Sequence, residues 1–115
     1  PRRFQGSPMQ FSEILSTLPS IDHLAAIELY AGDQLAALIE NKPGSAGSVR
    51  VYHALFAEFG EINAAAAHKG LEIYAEHTAD AIAFPGKHPN IDRLLEITHK
   101  QDQTAINYRV QLIQK

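Results

Sequence analysis

Residues 24–40 of the chain, LAAIELYAGDQLAALIE, contain two apolar runs that are joined by a glycine-containing turn. The runs cover residues 24–30 and 34–40, and Gly32 between them can supply the positive φ angle that a tight reversal needs. The pattern therefore predicts a β-hairpin. The alanines in both runs weaken this prediction, because alanine favours helix over strand.

An alternating run near the C-terminus predicts a third strand. From Ile106 to Leu112, apolar residues alternate with Asn107, Arg109 and Gln111, which gives the strand one buried and one mostly wet face. We therefore predict an α+β fold. Its three-stranded sheet, made of the N-terminal hairpin and the C-terminal strand, packs against three helices on one face, and a short helix precedes the hairpin.

The same alternation assigns side chains to the two faces of the sheet. The face expected to lie against the helices carries Ile27, Leu29, Leu35, Ala37, Ile39, Ile106, Tyr108 and Val110. The outer face carries Glu28, Tyr30, Leu38, Glu40 and Arg109. This outer face is only half polar, so we expect either the N-terminal helix or a second copy of the chain, in a homodimer, to cover it.

Apolar residues at three- and four-residue spacing predict the helices. The first helix runs from Phe11 to Leu18 and stops at Pro19, and the second follows Ser48, a candidate N-cap, and ends at Gly60.

A third helix is predicted over residues 61–83, where Gly70 is a candidate break. A fourth helix follows the turn at Pro85-Gly86 and the sequence His88-Pro89-Asn90.

Length and composition limit the possible classes of protein. With 115 residues and 45% hydrophobic side chains, residues 9–115 form a single domain, and we interpret residues 1–8, PRRFQGSP, as an expression-vector remnant. The absence of cysteine excludes disulfides, thiolate metal sites and cysteine nucleophiles. A net charge of −3 argues against a basic nucleic-acid binder. No run approaches the roughly 20 apolar residues that span a bilayer, so we expect no membrane contact and a cytoplasmic location.

Residues 72–93 are dense in groups that could carry chemistry, and the first hypothesis for them is a metal site. If residues 71–83 are helical, His77 and Asp80 lie one turn apart, and the turn at Pro85-Gly86 can bring His88 back towards them. Imidazole and carboxylate ligands suit a divalent ion such as zinc, iron or manganese. The spacing matches no established metal signature. In the structural alternative, His77 caps its helix or pairs locally with Asp80, and His88 is an exposed turn residue.

The second hypothesis is an anion site formed by Lys87, His88 and Asn90. Free N–H groups at the start of the following helix, together with the charge of Lys87, could hold a phosphate or carboxylate group. In the structural alternative, Asn90 caps its helix and Lys87 is solvated. A third hypothesis makes His77 a general base oriented by Asp80, as in a hydrolase, but no serine elbow or oxyanion hole is visible.

Three segments, RVYHAL at 50–55, AEHTAD at 75–80 and PGKHPNIDRL at 85–94, resemble a family of bacterial proteins classed as domain of unknown function 2322. The resemblance implies a bacterial origin and transfers no catalytic role. We therefore expect an interaction or accessory module without catalysis, whose partner is an unidentified protein. The alternative is a metal- or anion-binding protein, in its strongest form a hydrolase, that uses residues 72–93.

Overall fold

The computed structural model describes residues 9–99 and 107–115. Its helices and strands follow the order α1 (Phe11–Leu15), β1 (Leu24–Ala31), β2 (Gln34–Glu40), α2 (Ala46–Phe59), α3 (Ala64–Tyr74), α4 (Glu76–Ala83), α5 (Pro89–His99) and β3 (Arg109–Gln114). The α+β fold, the short N-terminal helix and the three-stranded sheet are confirmed. The interpretation of residues 1–8 and the placement of Ile106 lie outside the described residues.

The sheet has the strand order β2-β1-β3, and both neighbours of the central strand β1 run antiparallel to it. A bulge interrupts the β1–β2 pairing, because Leu29 lies opposite Ala37 whereas Tyr30 lies opposite Leu35. Ala36 is the extra residue, and it reverses the alternation beyond it. The assignment of Leu35 to the inner face was therefore wrong: this side chain is 52% exposed, and it lies on the outer face beside Tyr30.

One helix, α2, lies against the sheet, and the other helices pack on α2 or on one another. Helix α2 packs against β1 and β2, and α3 packs against both α2 and α5. Three helices side by side on one face of the sheet are therefore not confirmed. Helix α1 contacts α2 and α3, and its expected role as the cover of the outer face was wrong. The homodimer stays a prediction.

The predicted helix over residues 61–83 is two helices. Asn63 caps the first of them, α3, because its side chain accepts a hydrogen bond of 2.9 Å from the N–H of Ala66. Gly70 lies inside α3, and the break comes at Ala75, whose φ angle is +53°. Among the described helices the longest, α2, has 14 residues, and none is long and apolar enough to cross a membrane.

Gly70 marks the point of closest approach between α3 and its neighbours. A Cβ atom on this residue would lie 2.6 Å from Cδ1 of Leu94 on α5 and 3.0 Å from Cδ1 of Leu55 on α2. Both leucines are fully buried, so neither side chain can move without disturbing the core. The missing side chain at residue 70 is therefore what allows three helices to meet.

We predict that Gly70→Ala destabilises the protein although alanine is the better helix former. Overpacking costs about 1–3 kcal/mol and the helix propensity returns about 1 kcal/mol, so a net loss of about 1 kcal/mol is expected. Urea denaturation measures it. The matched control is Gly47→Ala in α2, where the new Cβ would have only ordinary contacts of 3.6 Å or more with Phe11 and Leu15. Equal stability changes in the two variants would contradict the packing argument.

Candidate functional site

A cavity of about 260 Å³ lies where the starts of α2 and α5 meet α1, the end of α3 and α4. We call it the α2–α5 pocket. Its lining residues are Phe11, Gly44, Gly47, Ser48, Tyr74, His77, Lys87, His88, Pro89, Asn90 and Ile91.

The residues of the predicted anion site, Lys87, His88 and Asn90, all line this pocket, and His77 lines it as well. Asp80 is not among the lining residues and holds two of them in place. Its Oδ2 atom lies 2.6 Å from Nε2 of His88 and 3.0 Å from Nζ of Lys87. The hydrogen bond from His88 and then that from Lys87 lower the pKa of Asp80, so this group is a carboxylate at neutral pH.

The residues of the predicted metal site are neighbours, but they do not surround a common point. His88 contacts Asp80 directly, and the ring centroids of His77 and His88 are 5.9 Å apart. Within residues 9–99 and 107–115, no three histidine, aspartate or glutamate side chains are arranged to hold a metal ion. The metal site stays a prediction. The structural alternative was wrong about both histidines, because Asp80 pairs with the half-buried His88, whereas the carboxylate beside His77 is that of Glu76, 3.8 Å away.

Two side chains fix Asn90 in the first turn of α5. The Tyr52 hydroxyl group donates a hydrogen bond of 2.6 Å to the Asn90 carbonyl oxygen, and Nη1 of Arg93 donates one of 2.9 Å to Oδ1 of Asn90. A guanidinium group only donates, so the amide oxygen faces Arg93 and the NH₂ group of Asn90 is left to donate elsewhere. Burial raises the pKa of Tyr52 to about 12, which keeps its donating proton in place.

The start of α2 differs from the sequence prediction. The helix begins at Ala46, so Ser48 lies in its first turn and is not the N-cap. The Tyr74 hydroxyl group donates a hydrogen bond of 2.7 Å to Oγ of Ser48, and burial raises the pKa of Tyr74. Among the described residues, the N–H groups of Gly47 and Ser48 have no hydrogen-bond acceptor, as expected for the first turn of a helix.

Helix α4 begins at a strained residue and carries His77 to the pocket wall. Ala75 has φ +53° and ψ −119°, a combination that is costly for any residue with a Cβ atom. The Thr78 hydroxyl group holds the bend by donating a hydrogen bond of 2.7 Å to the carbonyl oxygen of Leu71. Beyond the bend, the ring of His77 packs edge-on against Phe11, with centroids 5.2 Å apart.

Helix α1 is attached to the same wall. Oε1 of Glu76 accepts a hydrogen bond of 2.8 Å from the N–H of Phe11, and this bond is the main cause of the lowered pKa of Glu76. The Phe11 ring also stacks on Tyr74 at a centroid distance of 5.3 Å. The sequence patterns gave Phe11, Gly47 and Tyr52 no part in a site, and they placed Tyr74 in the segment of candidate groups without a role. The contacts of these residues come from parts of the chain that are distant in sequence.

Two of the three segments that carry the family resemblance, residues 75–80 and 85–94, provide the pocket wall and its supporting residues. A family model described as an uncharacterised protein conserved in bacteria, DUF2322, matches residues 11–108. The chain belongs to this family. Neither a search of curated proteins nor a search of solved structures found a match. The family description states no activity, so the chemistry of the pocket is the basis for a proposal.

We predict that Ala75→Gly stabilises the protein. The strain at this residue costs about 1–3 kcal/mol, and glycine relieves it against an entropic loss of about 0.5–1 kcal/mol. The free energy of unfolding, measured in urea, should rise by about 1 kcal/mol. The control is Ala79→Gly, an exposed residue inside α4, which should lose about 1 kcal/mol. A similar loss in both variants would show that residue 75 is unstrained.

The lowered pKa of Asp80 predicts how Asp80→Asn changes the acid response. Folding lowers the pKa below its ordinary value of 3.8, so the charged group stabilises the fold above that value, and its contribution is lost as pH falls through the folded pKa. The stability difference between the parent and the variant should therefore be present at pH 7 and shrink below about pH 4. Denaturation at both pH values measures it, and a difference that persists unchanged in acid would refute the assignment.

Proposed function

We propose that the domain binds a small anionic ligand, through a phosphate or carboxylate group, in the α2–α5 pocket. One observation carries the proposal: the first turns of two helices line the same cavity together with the side chain of Lys87. Each helix start carries a partial positive charge, which favours an anion. Among the described residues, the N–H groups of Gly47 and Ser48 on α2 and of Asn90 on α5 have no hydrogen-bond acceptor. Two such starts at one cavity add their fields at a single place.

The hydrogen-bonding groups of the pocket support an anion over a cation. The N–H groups of Gly47 and Ser48 lack acceptors among the described residues. The amide oxygen of Asn90 accepts from Arg93, so the NH₂ group of Asn90 is left to donate. The Ser48 hydroxyl group accepts from Tyr74, so its own proton is free to be donated. A bound oxyanion would satisfy several of these donors at once.

The charges around the pocket support the same conclusion. Asp80 fixes Lys87 and His88 through one carboxylate oxygen. Asp80 does not line the cavity, whereas Lys87 and His88 do. The carboxylate therefore holds the two basic side chains from outside the cavity. Lys87 thus presents a positioned positive charge, and an ion pair with a ligand in a partly enclosed site is stronger than one on an open surface.

The size of the pocket limits the ligand. A volume of about 260 Å³ is slightly below the range of about 300–1,000 Å³ that is typical of sites for drug-sized molecules. Phe11 and Ile91 contribute apolar surface to the pocket. Inorganic phosphate, a short carboxylic acid or a small phosphate ester fits these dimensions.

We propose binding and not hydrolysis. Ser48 is the hydroxyl-bearing residue of the pocket that best resembles a nucleophile, but its partner is Tyr74, whose raised pKa keeps that hydroxyl group protonated. A nucleophilic serine needs a neighbouring base to take its proton. An accessory role, in which the domain senses or presents an anion to another protein, needs only binding.

Titration calorimetry with inorganic phosphate tests the proposal. We expect one site per chain in the parent protein, and affinity reduced about fivefold in Lys87→Gln, because one partly exposed ion pair contributes about 1 kcal/mol. The same ligand should raise the melting temperature of the parent, since a ligand that prefers the folded state stabilises it.

Lys69→Gln is the matched control, because it removes the same charge from an exposed residue on α3 that does not line the pocket. It should bind phosphate as the parent does. If both lysine variants lose affinity equally, the interaction is a nonspecific response to net charge. If phosphate, acetate and citrate all fail to bind or stabilise the parent protein, the proposed function is wrong.

A further inference from the structure

A second depression on the molecule lies between α4 and α5 and shares no lining residue with the α2–α5 pocket. We call it the α4–α5 groove. Its volume is about 480 Å³. Ala81, Ile82, Pro85 and Leu95 supply its apolar surface, Asp92 and Glu96 supply carboxylates, and His99 supplies an imidazole at the last residue of α5.

Helix α4 directs its largest apolar side chain into this groove and not into the core. Ala81 is its buried residue, whereas Ile82 is 62% exposed. Leu95 on α5 is half-buried beside it. Exposed apolar surface that is concave and edged by polar groups is typical of sites where another protein docks.

The charges of the groove are acidic. Asp92 and Glu96 are four residues apart on α5, so they lie on the same side of that helix, one turn from each other. Oδ2 of Asp92 accepts a hydrogen bond of 2.9 Å from the N–H of Gly86, and such a bond leaves the carboxylate charge in place. No lysine or arginine lines the groove within the described part of the chain.

We propose that the α4–α5 groove binds a basic amphipathic helix of another protein. The apolar residues of the bound helix would pack on Ile82 and Leu95, and the lysine or arginine residues of that helix would face Asp92 and Glu96. The lengths agree with this occupant: α4 and α5, with 8 and 11 residues, are about 12 and 16 Å long at 1.5 Å per residue, which corresponds to two or three turns of a docked helix.

The charges decide between this occupant and a second copy of the chain. In a dimer formed through the groove, each copy would bring its own Asp92 and Glu96 to the shared interface, and the whole chain carries a net charge of −3. Such a pairing places like charges together, which opposes association. A basic partner gains from the same charges.

Chemical-shift titration of the isotope-labelled protein with two synthetic 14-residue helices tests this proposal. Both peptides have a leucine face, and their polar faces are lysine in one and glutamate in the other. The lysine peptide should shift amide signals of α4 and α5 and bind at least about tenfold more tightly than the glutamate peptide. Ile82→Ser, at an exposed position, should weaken it about tenfold or more.

Reversing the charge of residue 96 tests the role of electrostatics in the groove directly. Glu96→Lys should weaken the lysine peptide and strengthen the glutamate peptide, whereas a merely structural role for Glu96 would change both in the same direction. Leu38→Ser is the control, because Leu38 is 53% exposed on the outer face of the sheet; it should leave both affinities unchanged.

Three results would overturn the proposal. The first is equal binding of the two peptides, and the second is a set of shifts on the sheet that Leu38→Ser removes. The third is self-association of the free protein, seen as concentration-dependent shifts in α4 and α5, which would identify a second copy as the occupant. A separate titration of the same labelled protein with inorganic phosphate distinguishes this proposal from the proposed anion site. If the lysine peptide binds but phosphate shifts no amide signals, the groove proposal stands and the anion site is wrong.

Discussion

The hydrogen bond from the Tyr52 hydroxyl group to the Asn90 carbonyl oxygen joins the middle of α2 to the first turn of α5. Tyr52 is fully buried, and leaving a buried polar group unpaired costs about 1–3 kcal/mol. A different arrangement of the two helices would break this hydrogen bond and incur that cost. Arg93 closes the arrangement by donating to both Tyr52 and the Asn90 side chain. The relative position of the two helix starts, and with it the α2–α5 pocket, depends on this group of three residues.

Two backbone features place the remaining parts of the site. Gly70 lets α3 approach α2 and α5 closely, which brings Tyr74 at its end to the Ser48 hydroxyl group. Ala75 then turns the chain sharply, so that α4 starts in a new direction and His77 lies beside Phe11. Strain at a non-glycine residue next to a pocket is a known feature of functional sites, where the surrounding structure holds the unfavourable conformation.

Local patterns predicted those features that depend on local physics. The hairpin, the alternation of the last strand and the grouping of Lys87, His88 and Asn90 follow from neighbours in sequence. The bulge at Ala36 and the break at Ala75 were missed, because no glycine or proline marks either position and tertiary packing decides both. No sequence pattern predicted the hydrogen bonds of Tyr52 and Tyr74, because their hydroxyl partners lie 38 and 26 residues away, a separation that periodicity does not encode.

The proposed anion site requires the starts of α2 and α5 to bind one ligand together. Amide chemical shifts recorded while inorganic phosphate is added test it most directly, because each N–H group reports its own hydrogen bond. We expect the amide proton signals of Gly47, Ser48 and Asn90 to move together and to saturate at one common dissociation constant. Shifts confined to one of the two helices, or shifts spread over exposed lysines without saturation, would contradict it.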